Sequence, residues 1–309
     1  MINKNKLLGL LFIFIVFLLF YGYSLNNKNE KRVKIGYFKS VSSIPFIVGH
    51  EKGFFKDKGI ETELVYFGDK IRKIFSSVES GRLDCSLRSK VSLFSAIKEG
   101  SKTCMLDEIY SKGNKTGVLG LYVPQSSRCL SDHSCNFDLG YRKGGIEEIV
   151  ALNMIDKGKI SWENVNHINA RGSSKALFLK SGDIDGALLM PDQYVLIDKK
   201  LSLIKVADSI EVLPNSIFGA IYCSNKFSRN FEKIEEFKRG IGEYKKFIND
   251  NAKKVKRILA EKGYYGEEIM NIDFPVYSTT IGVNKSKQKR IVNNHSKLNI
   301  SRVETCPLS

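Results

Sequence analysis

The sequence is short of the residues from which most enzyme centres are built. It has four histidines, His50, His133, His167 and His295, and no HExxH, GxSxG or GxxxxGK[ST]. That removes the zinc-peptidase, serine-hydrolase and P-loop chemistries those spacings serve. His50 precedes Glu51 in an expected helix, where the pair reads as exposed or partly packed. No catalytic residue, metal ligand set or cofactor is expected. A cysteine placed for lipid attachment is also missing after the N-terminal apolar run, which argues against a lipid-tethered Gram-positive surface protein.

That apolar run is the first thing the sequence does contain. Two lysines in MINKNK precede nineteen uncharged residues, Leu7 to Leu25, and residues 1–32 are assigned to an export signal or an N-terminal membrane anchor. The expected location is the periplasm, free or anchored to the inner membrane on its periplasmic side. Six cysteines fit an oxidising compartment, and six allow fifteen pairings. Cys129 and Cys135, close together in SSRCLSDHSCNF, are the expected local disulfide. A metal site of Cys129, His133 and Cys135 is the alternative, short of the fourth ligand of a closed zinc site. Cys85, inside an apolar strand, is expected to be a buried free thiol.

The net charge of +16 is concentrated at the ends, +4 in residues 1–32 and +5 from Asn284 onward, leaving +7 over the body, where Lys and Glu are interspersed. This predicts a solvated basic surface and no nucleic-acid partner. At 309 residues and 42% hydrophobic, the chain can build two lobes.

Along the body, strand and helix signals alternate. VKIGYF (Val33–Phe38) reads as a strand, Lys39 to Ser43 as a loop, and Ile44 to Glu51 as a helix with Pro45 in its first turn. Lys52-Gly53 ends that helix, Phe54-Phe55 returns to the sheet, and Glu61 to Phe67 is the next strand, predicting a parallel β-α-β unit. Asp69 caps a helix to about Ser80, LDCSL is a strand, Ser89 to about Glu99 is a helix, and TCMLDEIY and GVLGLYV are strands. One plan occurs twice, about a hundred residues apart: SSVESGRLDCSLRS (Ser76–Ser89) and LFLKSGDIDGALLMP (Leu177–Pro191). In each a helix stops at Ser-Gly, and an Asp precedes an apolar strand. Gly81 and Gly182 are read as left-handed stops, Asp84 and Asp185 as turn-fixing residues.

Two similar α/β halves imply a cleft, and ligands of open parallel sheets meet the loops at the carboxyl ends of strands. In the first half these loops offer Ser42 and Ser43, Asp69, then Arg88 with Ser89. In the second they offer Arg142, Lys143, Gly144 and Gly145, then Arg171 with Ser173, and Asp192. Asn215 lies on the return path. N–H groups at helix starts suit an anionic or strongly polar ligand, and Arg88, Arg142, Lys143 and Arg171 can add charge-assisted bonds. Tyr37, Phe38 and Tyr194 are read as core or wall.

IGYFKSVSSIPFIVGHEKGFFKDKGIETELVYF, followed by SGRLDCSL and SGDIDGALLMPDQYVL, resembles the extracytoplasmic substrate-binding proteins of ABC transporters, in the nitrate, taurine, alkanesulfonate and thiamine-pyrimidine-precursor group. The resemblance covers about Val33 to Gly263. It implies an α/β, periplasmic-binding-protein-like type II fold of two lobes joined by two crossing strands, with a ligand cleft between them. Lobe I would comprise residues 33–124 and 213–283, lobe II residues 125–212, and residues 284–309 a basic tail. The implied function is non-enzymatic: a small ligand of sulfonate, nitrate or pyrimidine type is bound by closure and presented to permease subunits. The chain departs from the family in its weakly apolar tail and in Arg88 and Lys90, where small residues are usual. A membrane-anchored sensor or envelope protein on the same fold is one alternative. An enzyme of thiamine-precursor synthesis is another, opposed by the export segment and by the lack of that family's Cys-rich motif.

Overall fold

The computed structural model describes residues 14–17, 32–68, 70–109, 119–213, 219–277 and 306. The expected β-α-β unit opens it. Strand β1 (Arg32–Tyr37) runs parallel to β2 (Glu61–Tyr66), and helix α1 (Ile44–Glu51) connects them. Ile44 through Gly49 are all buried, so α1 has almost no polar face. It lies between the sheet and helix α9 (Phe231–Asp250), where Phe55 stacks on Phe237 at 4.8 Å between ring centres. A Cβ on Gly49 would stand 2.5 Å from the Phe55 ring, and glycine permits this close approach.

Helix α2 (Ile71–Glu79) leads to β3 (Cys85–Ser89), and helix α3 (Lys90–Lys98) leads to β4 (Cys104–Glu108). With β10 (Gly219–Cys223) these strands form a sheet in the order β2-β1-β3-β10-β4. The second sheet takes β5 (Gly120–Pro124), β6 (Asn136–Tyr141), β7 (Asn164–Asn169), β8 (Gly186–Leu189) and β9 (Leu203–Asp208), in the order β7-β6-β8-β5-β9. The two orders are the same pattern. Each sheet pairs antiparallel with one strand supplied by chain arriving from the other half, β10 in the first and β5 in the second.

That pairing corrects one expectation. A lobe I ending at residue 124 would contain β5, yet Gly120–Pro124 pairs with β8 and β9 of the second sheet. The change of sheet falls between Glu108 and Gly120, because an apolar strand is buried equally well in either sheet and its local pattern does not choose. The two crossings are clasped together. The Ile109 N–H donates to Gly219 O at 3.1 Å, the Ser209 N–H donates to Leu119 O at 2.8 Å, and the Leu119 N–H donates to Ser209 Oγ at 3.1 Å.

The second half adds helices α4 (Ile146–Asp156), α5 (Ser174–Ser181), α6 (Pro191–Leu201) and α7 (Ser209–Val212). After β10 the chain continues in α8 (Asn225–Ser228), α9 and α10 (Ala252–Glu261).

The cysteines form three disulfides, Cys85–Cys223, Cys104–Cys306 and Cys129–Cys135. Cys85 is therefore not the free thiol expected from its apolar strand. Its partner lies 138 residues away and is placed opposite it by the β3/β10 register. Cys129 and Cys135 consume each other's sulfur, which closes the metal alternative, and His133 hydrogen-bonds Ser161 instead. Among the described residues, no group of three His, Cys, Asp or Glu could hold a metal ion, and no helix is long and apolar enough to cross a membrane.

Candidate ligand-binding site

The loop after β1 is held from behind. The Ser43 N–H donates to Ser40 O at 2.9 Å, the Tyr265 hydroxyl donates to Ser40 O at 2.6 Å, and the Tyr277 hydroxyl donates to Val41 O at 3.0 Å. This leaves the side chains of Ser40 and Ser43 buried with no hydrogen-bond partner for either hydroxyl among the described residues. Ser43 is the N-cap of α1 and makes no side-chain cap. Buried polar atoms are rarely left unpaired, since each costs about 1–3 kcal/mol. Ser42 lies in the same short turn.

At the end of β3, Ser89 caps α3 by accepting the Ser92 N–H at 3.2 Å, so its hydroxyl serves the helix. Arg88 lies over the Phe75 ring with its guanidinium carbon 3.9 Å from the ring centre. Its Nη1 is buried without a partner. Desolvation holds the guanidinium below its ordinary value, and the charge of Arg142 adds to this against the opposing charges of Tyr222, Glu99 and Glu79. Lys90, the other departure from the family, faces inward and pairs with buried Glu108 at 2.5 Å.

Across the cleft, the second half departs from expectation. The anion donors expected in the loop after β6 are the N–H groups of Gly144 and Gly145, with the Arg142 and Lys143 side chains adding charge. Instead the Arg142 N–H donates to Glu147 Oε2 at 2.7 Å, the Lys143 N–H to Asn169 Oδ1 at 3.2 Å, and the Gly144 N–H to Glu148 Oε2 at 2.8 Å. The acidic first turn of α4 folds back on its own loop, as carboxylates near a helix N-terminus do. Gly145 is the buried N-cap of this helix, and Arg142 and Lys143 are exposed. Beyond β7, Arg171 and Ser173 are exposed, and the Arg171 N–H is taken by Ser174 Oγ at 2.9 Å.

Behind these loops lies a polar cluster that the sequence reading missed. Lys175, in the first turn of α5 and fully buried, donates to Glu147 Oε2 at 2.7 Å and to Leu188 O at 2.6 Å. Desolvation lowers the ammonium's pKa while Glu147 raises it. The charges of Asp192 and Arg142 also act on Lys175, and Arg142 acts in turn on Arg88 in the other half. Asp192, in the first turn of α6, has its Oδ1 buried without a partner. Burial pushes this carboxyl up to about 6, against the backbone N–H groups of Asp192 and Gln193 and the charge of Lys175. Asp69 and Asn215 lie outside the described residues. Of the other expected positions, Ser43, Arg88 and Asp192 are those with unsatisfied buried atoms. Ser40, Phe75, Glu147, Glu148 and Lys175 were missed. The GGIEE run at the start of α4 carried a readable signal for the two glutamates.

Tyr194 stacks on Tyr122 at 4.4 Å, and Tyr37 packs between Tyr66 and Tyr264.

A family model described as NMT1/THI5 like matches residues 40–243. The chain belongs to that family. No curated protein matches it. Among solved structures, this NMT1/THI5-like chain is similar to the ligand binding component of an ABC-type import system from Staphylococcus aureus. The two share 12% identity at a TM-score of 0.71, over 89% of this chain and 94% of that one. The alkanesulfonate-binding protein SsuA from Xanthomonas axonopodis pv. citri, bound to MOPS, aligns at 10% identity and a TM-score of 0.67, over 89% and 96%. The periplasmic nitrate-binding protein NrtA from Synechocystis PCC 6803 aligns at 10% and 0.60, over 79% and 68%. At these identities the likeness is one of fold, and the NMT1/THI5-like chain has the two-lobed, periplasmic-binding-protein-like type II architecture.

Proposed function

We propose that this protein is the extracytoplasmic solute-binding component of an ABC import system, taking a small polar ligand between its lobes and presenting the closed form to a membrane permease. The observation that carries this reading is the placement of unsatisfied buried atoms on both sides of the cleft, Ser40 Oγ, Ser43 Oγ and Arg88 Nη1 in the first half and Asp192 Oδ1 in the second. A folded protein tolerates such atoms where a ligand completes them. A ligand touching both sides favours the closed form by its differential affinity, which is all that closure requires. The expected setting is periplasmic, and residues 1–32 supply the export signal or the anchor.

A thermal-unfolding screen against sulfonates, nitrate, pyrimidines and flavins tests the proposal. A ligand at a hundred times its Kd stabilises by roughly 2.7 kcal/mol, a readily measured shift in Tm. A folded, ligand-free protein that shifts with none of them loses this reading to the anchored-sensor or envelope alternative.

A further inference from the structure

The first sheet has an end that the cleft does not use. β1, β3 and β4 run in one direction and β10 in the other, so the starts of the first three and the end of β10 lie together, opposite the strand-end loops of the cleft. Cations gather on this floor. Arg82 stands two residues before Asp84, the Lys226 side chain lies beside Gly81, and Lys233 donates to Arg32 O at 2.7 Å. Burial raises the Asp84 pKa, and the charges of Lys233, Lys226 and Lys34 converge on it and lower it, while its Oδ2 is committed to the Lys34 N–H. Glu63 takes Arg32 and Lys34 at 3.3 and 3.9 Å. Arg82, Lys226 and Arg229 are exposed and have no ion-pair partner among the described residues. Phe231, at the start of α9 between Arg229 and Lys233, is 48% exposed. Glu79 and Glu232 flank these residues in sequence, so the cations are in excess.

Both ends of the chain reach the body at this floor. Arg32 is seven residues beyond Leu25, where the nineteen-residue uncharged run ends, a reach of at most about 25 Å. Cys306 is bonded to Cys104 at the start of β4, and its N–H donates to Met105 O at 3.0 Å. The +4 of residues 1–32 and the +5 from Asn284 onward are therefore joined to the body at one place.

We propose that this floor docks on an anionic phospholipid surface, with Arg82, Lys226 and Arg229 against the headgroups and Phe231 at the boundary with the acyl chains. The occupant follows from the N-terminus, since an uncharged run of that length matches the hydrocarbon thickness and the floor is the part of the body nearest to it. An apolar segment alone holds a body near a membrane without fixing which face it turns to the lipid. Unpaired cations with an aromatic ring among them fix it. The strand-end loops of the cleft then stand at the end facing away from the headgroups, and docking is independent of what the cleft binds.

The test uses the full chain with Phe231→Trp as a reporter. It is added to vesicles of phosphatidylcholine alone or of equal parts phosphatidylcholine and phosphatidylglycerol, with the phosphatidylcholine chains brominated near the headgroup to quench tryptophan in contact with them. Leu177→Trp, exposed on α5 of the second half, is the matched reporter, and buried Trp162 gives both the same background. The expected result is quenching of the Phe231→Trp reporter on the anionic vesicles, little on the neutral ones, and little from the Leu177→Trp reporter on either. Each cation at an anionic surface contributes about fivefold, so Arg82→Gln, Lys226→Gln and Arg229→Gln together should lower the ratio of docked to undocked protein roughly a hundredfold, read from the quenched fraction. Lys253→Gln, Lys254→Gln and Arg257→Gln remove as much charge from α10 and should leave the quenching unchanged. That helix lies at the other end of the strands, between Asn249, which donates to Tyr277 O, and Tyr265, which donates to Ser40 O. Equal quenching on both kinds of vesicle, equal quenching of the two reporters, or a loss that the α10 change reproduces overturns the proposal. An unquenched Phe231→Trp reporter on anionic vesicles also overturns it and leaves the floor to an acidic protein partner. None of these outcomes touches the solute-binding reading, which the ligand screen decides separately.

Discussion

A carboxyl oxygen buried without a donor raises Asp192 to about 6, against an ordinary value of 3.8. Because the folded value lies above the unfolded one, the stability associated with this group is fully present below about pH 4 and is lost as the pH rises through 6. At pH 8 the ionised form costs the ligand-free protein about 2–3 kcal/mol. Asp192→Asn should therefore raise Tm at pH 8 and gain little at pH 4, measured by thermal unfolding across that range. A variant no more stable than wild type at pH 8 would show that Asp192 is solvated. Asp192 was legible as a candidate because it begins a helix after an apolar strand. Its burial was not, since that depends on which side chains the rest of the second half brings against it.

At the scale of elements, the internal repeat is closer than its letters imply. Asp84 Oδ2 accepts the Lys34 N–H at 2.7 Å, and Asp185 Oδ2 accepts the Asp138 N–H at 2.9 Å. The N–H of each Asp is returned to the carbonyl of the same partner residue. Each Asp therefore clamps the start of the central strand of its sheet to the strand beside it, β3 to β1 and β8 to β6. The match continues outside the repeated letters. Gly36 in β1 and Gly140 in β6 lie under Leu83 and Ile184, the residues just before each Asp, and a Cβ at either glycine would overlap the isoleucine or leucine side chain above it. Gly81 and Gly182 have φ of 73° and 78°, the left-handed stops expected of them. Gly140→Ala should cost about 1–3 kcal/mol through overpacking. Pairing it with Ile184→Ala should cost less than the sum of the two single changes, as a double-mutant cycle in urea would show. Asp185→Ala should cost about 1–3 kcal/mol by leaving the Asp138 N–H without its partner, and additivity with Asp84→Ala would indicate that the two halves are clamped independently.

For the whole molecule, the decisive contacts gather where the chain leaves the first sheet. Lys245 reaches from α9 to Asp107 Oδ2 at 2.5 Å and to Glu108 O at 2.6 Å, while Lys90 pairs with Glu108. All four side chains are buried. Removing one partner strands a buried charge, so Lys245→Met should cost about 3–5 kcal/mol, and a double change that also makes Asp107 apolar should recover most of it. If the single change costs under 1 kcal/mol by urea unfolding, this pair does not anchor the crossing. The disulfides bind the same region. Cys85–Cys223 joins β3 to β10, and Cys104–Cys306 joins β4 to a residue near the chain's far end, where the Cys306 N–H also donates to Met105 O at 3.0 Å.

The sequence by itself determined the alternation of elements, the duplicated plan, the helix stops and the strand-end loops on which the candidate residues stand. All of these follow from short-range rules: periodicity, the φ that glycine tolerates, and the cap that an Asp or Ser supplies. The tertiary structure alone decided that β5 belongs to the second sheet, that Cys85 has a partner, and that Glu147 and Glu148 fill the loop an anion was expected to occupy. It also decided which of the candidate side chains are left buried with an empty valence. Those outcomes depend on groups tens to hundreds of residues apart meeting at a given depth, and depth is a property of the packed whole, carried by no single stretch of chain.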